Sequence, residues 1–363
     1  MRNLASIQVI KEINPIAGAD FISVATVLGW KVIVKKNEFS VGDKIIYVEI
    51  DSVLPEKPEF EFMRERKFRV RTVKMKKQVS QGIVFSLGIL PKGSYTEGQD
   101  VTEILEITKY ETPSERQERT REEVRSSRIK KFFMRYSFIR RLFFSDRMHW
   151  PSFISKTDET RIQNIPSILE TAKAHKFSVS EKLDGCSATF FVIKNNKKWQ
   201  FWKPYIFGVC SRNFLKGKKD NSYWWRIAVD QDIENKMVKY IKMLNNLNKI
   251  EYLVIQGEII GEGIQGNKYN LKGLDFFVFN ILTSLSSYSC INIPSVCEYI
   301  GLKNVPYLDH YFVLKDSVDA MIDYSKGKST LGNIHREGVV IRSRDNDISF
   351  KVINPDFLLK YEE

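Results

Sequence analysis

Residues 177–193 read FSVSEKLDGCSATFFVI, and the architecture of the chain turns on that stretch. Two runs rich in β-branched and aromatic residues flank Lys182-Leu183-Asp184-Gly185, so the sequence predicts strand, short turn, strand, with a lysine at the lip of the turn. Alone, a Lys-x-Asp-Gly arises by chance in roughly one chain in ten of this length, and a surface turn would explain it. Further segments follow in order: FGVCSRN at 207–213, VIQGEIIGEGIQGN at 254–267, FFVFNI at 276–281, EGVVIRS at 337–343 and SFKVINP at 349–355. Strands here often follow strands directly, with helical patterns at Asp230 to Leu247 and Ser317 to Tyr324. That predicts an α+β domain of antiparallel sheets over 151–363. No G-x-G-x-x-G follows a strand and no G-x-x-x-x-G-K-[ST] is present, so neither a dinucleotide fold nor a P-loop is supported.

Upstream, residues 1–105 show short strands punctuated by Gly18, Gly29, Gly42 and Gly82, the pattern of a small closed barrel of OB size. The run FRVRTVKMK, Phe68 to Lys76, reads as one alternating strand. With Arg64, Arg66, Lys67, Arg69, Arg71, Lys74, Lys76 and Lys77 in or beside it, it predicts a nucleic-acid surface, although a solvated basic face is the plainer reading. Residues 106–150 form a basic linker, with ten Lys or Arg against three acids between Arg119 and Arg147. Ile129, Phe132, Phe133, Tyr136, Ile139 and Phe143 fall at helical spacings there, so a partly helical segment is expected to dock one stripe on a neighbouring domain.

A formal net charge of +13 over 363 residues favours polyphosphate partners, nucleic acid first. No apolar run reaches membrane-spanning length, and the start, MRNLASIQVIKEINP, lacks a secretory pattern, so no membrane association is expected. Cys186, Cys210, Cys290 and Cys297 form no Cys-x-x-Cys pair, which predicts an intracellular, reducing compartment and neither zinc ribbon nor disulfide framework.

The ordered series, beginning with Lys182-Leu183-Asp184-Gly185, resembles the motif set of the covalent nucleotidyltransferases: ATP-dependent ligases and capping enzymes. The segment KTDETRIQNIP, 156–166, is similar to the lead-in of ATP-dependent RNA ligases that carry an OB domain in front of the adenylyltransferase domain. The resemblance implies that Lys182 attacks the α-phosphorus of ATP to form lysyl-AMP. A free lysine amine is almost wholly protonated at neutral pH, so its pKa must be lowered, with a magnesium ion on the phosphate and a nearby Lys351 as candidate causes. Asp184, Glu258 and Glu337 are implied to surround the ribose and a hydrated Mg²⁺ or Mn²⁺, gripping the metal mainly through water. Gly185 belongs to the same nucleotide pocket. Phe279 matches the aromatic that packs on adenine, with Phe276 and Phe277 expected in the core. Lys351 is implied to act on the α-phosphate and Arg212 to meet the RNA 5′-phosphate. Arg161 is implied to be functional, and Gln163 and Asn164 to help hold the nucleotide or the lysine strand. Related ligases often show Lys-x-Lys in the last motif, where this chain has Lys351-Val352-Ile353; Lys360 is only a weak substitute.

The expected activity is sealing of RNA 3′-hydroxyl and 5′-phosphate ends, a nicked duplex being one form they take, by a monomer. Alternatives of other kinds are a DNA ligase, a GTP-dependent capping guanylyltransferase, or a catalytically inactive nucleic-acid-binding protein. Against the last stands the intact set Lys182, Asp184, Glu258, Glu337 and Lys351.

Overall fold

The computed structural model of the chain describes residues 3–111, 150–195, 202–217, 221–246 and 249–361, together with Arg116 and Thr120. The helical stripe expected from Ile129 to Phe143 lies outside the described residues. The chain divides into two compact units, one of Met1–Ser137, Ile162–Ile168 and Leu358–Glu363, the other of Phe138–Arg161 and Leu169–Phe357.

In the first unit, β1 (Ala5–Pro15), β2 (Ile22–Val27), β3 (Trp30–Lys35), β4 (Lys44–Val48) and β9 (Ile83–Ser86) pair in the order β3-β2-β1-β4-β9. The long β1 serves two neighbours, pairing through Ala5–Val9 with β4 and through its later residues with β2. A register shift between Ile10 and Glu12 lies where it changes partner, and such a bulge bends a strand enough to curl the sheet. Its order is that of an OB barrel. Alternation along the strands sends Ile7, Ile10, Trp30, Ile45 and Tyr47 into one fully buried core.

The connection from β4 to β9 carries β5 (Ser52–Val53), a 3₁₀ stretch (Pro58–Arg66), β6 (Arg69–Val70), β7 (Thr72–Met75) and β8 (Gln78–Gln81), with β5 also pairing β10 (Thr108–Lys109). The expected single strand from Phe68 to Lys76 is therefore broken. Lys67 and Phe68 adopt left-handed backbone, φ 52° and 57°, which turns the chain out of the pleat before β6 begins. Arg69 leaves the expected basic face. It is buried, its guanidinium 3.5 Å above the Tyr110 ring and 3.9 Å from Asp51.

The segment Ile162–Ile168 groups with this barrel. Trp30 donates its indole N–H to Asn164 Oδ1 at 2.6 Å, Asn164 donates to Glu49 at 2.7 Å, and the Gly29 N–H donates to the Gln163 carbonyl at 2.8 Å.

The second unit contains two five-stranded sheets. One runs β11 (Thr160–Arg161), β20 (Ser349–Ile353), β19 (Gly338–Ser343), β12 (Phe177–Lys182), β18 (Tyr307–Phe312). The other runs β14 (Tyr205–Cys210), β13 (Cys186–Lys194), β15 (Tyr252–Gly261), β16 (Leu274–Thr283), β17 (Lys303–Asn304). Their neighbours are antiparallel apart from β11 on β20 and β17 on β16, two-residue edge pairings that the alternation could not reveal.

A short α1 (Ile168–Thr171) precedes β12, and α2 (Tyr223–Asp230), α3 (Ile233–Asn245) and α4 (Ile293–Ile300) cover one face of the second sheet. There Met237 and Ile241 of α3 and Val296 of α4 share a buried cluster with Phe190, Ile255 and Phe276 of the strands. The helix expected from Asp230 to Leu247 is α3, which starts at Ile233 because Asp232 takes φ 52° between it and α2. α5 (Val318–Ser325) starts where expected, with the Ala320 N–H donating to the Ser317 hydroxyl at 3.2 Å. α6 (Pro355–Tyr361) follows β20. No helix of the described residues is long and apolar enough to cross a membrane. The class is α+β, as expected.

Candidate active site

Lys182 is the last residue of β12 and Cys186 the first of β13, so Leu183-Asp184-Gly185 carries the chain from one sheet to the other. The turn lies hard against β15. A Cβ built on Gly185 would stand 2.3 Å from the Ile259 carbonyl oxygen, which only glycine avoids. In the first sheet Lys182 pairs with Gly338, which sets Glu337 beside it, and Lys351 lies opposite Val340 on the next strand. Arg161 pairs with Lys351 from the parallel edge strand. In the second sheet Glu258 stands opposite Ser187 on one side and Phe277 on the other. Antiparallel register thus gathers residues that lie as far apart in sequence as 161 and 351.

The charges here are strongly coupled. Lys182 Nζ donates to both Glu337 oxygens, at 2.6 and 2.7 Å. Burial works to lower the Lys182 pKa, but the charges of Glu337, Glu258 and Asp184 and the Glu337 hydrogen bond outweigh it and raise it. Lys182 is thus a held ammonium before any cation or nucleotide binds, and the lowering expected of it falls to the magnesium ion on the phosphate. The lysine that is lowered is Lys351, to about 7, by burial first and then by the positive charges of Lys182 and Arg161. Burial likewise pushes the Glu258 carboxyl up to about 8 against the opposing pull of Lys182, with Glu337 and Asp184 adding to the rise. Glu337 is also raised, by burial and by Asp184, with Lys182 opposing.

Burial, with neighbouring acidic charge, holds two carboxyls above their ordinary range, so a cation beside them would be stabilised. An all-oxygen set of that kind suits a hard divalent cation such as Mg²⁺ or Mn²⁺. Among the described residues no three His, Cys, Asp or Glu side chains converge closely enough to hold a metal directly. Glu258 and Glu337 are the carboxyls whose charge such an ion would offset.

Asp184 has two partners from the segment after β15. Lys268 Nζ donates to Asp184 Oδ2 at 2.6 Å, and the Asp184 N–H donates to the Tyr269 hydroxyl at 2.8 Å. Lys268 and Tyr269 thus pin the turn after the nucleophile, and sequence reasoning missed both. They follow directly on the quoted VIQGEIIGEGIQGN, so proximity to that motif was the available signal. A second missed contact is Glu181, 1% exposed, whose Oε2 accepts from both the backbone N–H and the hydroxyl of Thr330, at 2.9 and 2.8 Å.

Phe276 and Phe277 are buried, as expected, and Phe279 is half-buried beside a cluster containing Leu183, Ile260 and Tyr269. Arg342 donates to the Phe279 carbonyl at 2.5 Å and to Glu159 at 3.0 Å, which fixes this part of β16. Arg212 is partly exposed and donates to Asp158 at 2.5 Å, while its charge reaches Glu258. Gln163 is fully buried and belongs to the barrel unit, apart from the unit that holds Lys182, Asp184, Gly185, Glu258, Phe279, Glu337 and Lys351.

A family model described as RNA ligase matches residues 175–361, and one described as an OB-fold domain matches residues 4–87. The chain is 32% identical to an apo variant of Naegleria gruberi RNA ligase, with a TM-score of 0.80 over 99% of this chain and 98% of that one. It is also 32% identical to the same organism's RNA ligase with pyrophosphate, TM-score 0.79, over 100% and 99% of the two chains. A variant of that ligase with ATP and Mn gives 32% identity and a TM-score of 0.80 over 100% of both chains. No curated protein sequence matches the chain.

Proposed function

The chain belongs to the RNA ligase family, and on that premise we propose that it joins RNA 3′-hydroxyl and 5′-phosphate ends at the expense of ATP, through lysyl-AMP and RNA-adenylate. The observation that carries the proposal is the Lys182 amine, held at the junction of two sheets by Glu337 with Glu258, Asp184 and Lys351 around it.

In the first step the Lys182 nitrogen bonds to the α-phosphorus of ATP, the bond to the bridging oxygen breaks, and pyrophosphate leaves. Lys182 must first lose a proton, and Glu337, already bonded to Nζ, is positioned to take it. A divalent cation supplies positive charge to the acidic pocket and the α-phosphate. Bound beside Glu258 and Glu337, such an ion would offset their charge and so weaken their hold on the ammonium form of Lys182. Lys351, half-buried and with its pKa lowered to about 7, regains its full charge beside a phosphate and steadies the anion formed in transfer. Phe279 offers an apolar face for adenine.

In the second step an oxygen of the RNA 5′-phosphate takes the adenylyl group, the P–N bond breaks, and Lys182 recovers a proton. Arg212 meets that phosphate, exchanging its bond with Asp158 for one to the incoming end. In the third step the RNA 3′-hydroxyl attacks the same 5′-phosphorus and AMP leaves.

All four cysteines are free, which supports a reducing, intracellular setting. The test of substrate class is sealing of a nicked duplex with ribose or deoxyribose at the 3′ side. Faster sealing of ribose ends is expected; equal or faster sealing of deoxyribose ends would favour a DNA ligase.

A further inference from the structure

From the basic hairpin at the end of the first unit's longest insertion, we infer that this protein grips the phosphate backbone of its RNA with a two-lysine fingertip, Lys76 and Lys77. The inference rests on the RNA ligase reading and adds to it a specific contact surface. β7 and β8 pair only with each other, as a separate two-stranded sheet within the connection from β4 to β9. That connection is one of the places where OB barrels present nucleic-acid-binding loops.

The base of the hairpin is fixed. Gln81 donates to the Thr72 hydroxyl at 3.2 Å, the Ile33 N–H donates to the Ser80 hydroxyl at 2.9 Å, and the Tyr47 hydroxyl donates to the Gln81 carbonyl at 3.0 Å. The tip is open, with Lys74 to Lys77 all exposed.

Met75 faces Gln78 in the register, so Lys76 and Lys77 are the whole two-residue loop. Their φ values are 46° and 67°, both left-handed, the backbone of a type I′ turn. Such turns favour Asn-Gly, and two lysines there hold a conformation that side chains with a Cβ disfavour. Strained residues that persist at a surface tip point to a use for their side chains.

Charge identifies the partner. Between Glu65 and Glu97 the chain carries eight Lys or Arg and no Asp or Glu. Among the described residues neither Lys76 nor Lys77 has an ion-pair partner. A membrane surface would call for an apolar face, and the tip offers only Met75, 38% exposed. A polyanion narrow enough to meet two adjacent ammonium groups, the RNA backbone, fits better.

The test is the double substitution Lys76→Asn with Lys77→Gly in the full chain, which supplies the residues a type I′ turn prefers while deleting both charges. The unfolding temperature should rise, whereas the Kd for an unstructured oligouridylate, measured by anisotropy at several salt concentrations, should weaken about tenfold. The slope of log K against log salt should shrink by about 1.4, from about 0.7 for each lost phosphate contact on a single strand. Lys239→Asn with Lys242→Asn, which removes the same charge from exposed positions on α3, should leave the Kd within about twofold.

Unchanged RNA affinity in the hairpin variant overturns the inference, as does an equal loss in the α3 variant, which would make the effect one of bulk charge. A fall in unfolding temperature overturns the turn assignment on which it is built. Wild-type protein that binds anionic vesicles but no RNA overturns it in favour of a membrane contact. If wild-type protein takes up no adenylyl group from ATP, it is the ligase reading that fails, so the two failures are distinguishable.

Discussion

Removing the charge of Glu258 should stabilise the fold while disabling the enzyme, and pH should reveal why. Burial raises the Glu258 pKa from 4.5 to about 8. A carboxyl raised in the folded state binds more protons folded than unfolded between those values. Its stabilising contribution is therefore complete below about pH 4.5 and is lost as pH rises through about 8. Applied to that shift, linkage gives a loss of up to about 2 kcal/mol between about pH 6 and about pH 7.5, an upper bound because the site is partly solvated. Glu258→Gln cannot ionise, so it should flatten this slope and raise the unfolding temperature at the upper end. Lys351 acts in the opposite sense and at higher pH. Its lowered pKa makes the unfolded chain the better proton binder between about 7 and about 10.5, so its contribution improves as pH climbs through that window. The assay is urea denaturation of chelator-treated protein across this range, followed by the same series with Mg²⁺. Divalent cation should remove much of the wild-type slope and stabilise Glu258→Gln less. Identical slopes for wild type and variant would refute the reasoning, and so would a variant that still adenylylates at the wild-type rate.

Other perturbations probe the supports of the site. Lys268→Ala releases Asp184 from a largely buried ion pair and should cost about 1–3 kcal/mol in chemical denaturation, with a slower first step in single-turnover label transfer. Gly185→Ala forces a Cβ against the Ile259 carbonyl, which should destabilise the second unit by about 1–3 kcal/mol and abolish adduct formation; wild-type stability would show that the turn can move aside. Asn164→Ala removes its hydrogen bonds with the Trp30 indole and with Glu49, so the barrel should lose about 1–3 kcal/mol, read as a lower unfolding midpoint.

Much of this architecture was legible because it is written in period and order. The paired runs around Lys182 became β12 and β13, and the quoted motifs became β15, β16, β19 and β20 in that sequence. What stayed hidden depends on single backbone angles and long-range contacts. Left-handed Phe68 keeps the first residue of the expected strand out of the pleat, Arg71 parts β6 from β7, and left-handed Asp232 delays the expected helix to Ile233, although the sequence pattern runs through all three positions. Asn164 and Gln163 sit next to Arg161 in the chain, yet they group with the barrel because Trp30, Glu49 and Gly29 supply partners that no local pattern could announce. At the site, residue types were readable and their electrostatic balance was not. Lys182 sits among three carboxylates, so its proton is held rather than loosened, and the lowered pKa passes to Lys351. That outcome needs distances, which sequence spacing does not contain.

The measurement that bears most directly on the account is mass spectrometry of tryptic peptides after incubation with ATP and Mg²⁺. An adenylyl mass on Lys182, absent from Lys182→Ala protein that remains folded, is the predicted result. Unmodified Lys182, or an adenylyl group on Lys351 or any other side chain, would contradict it.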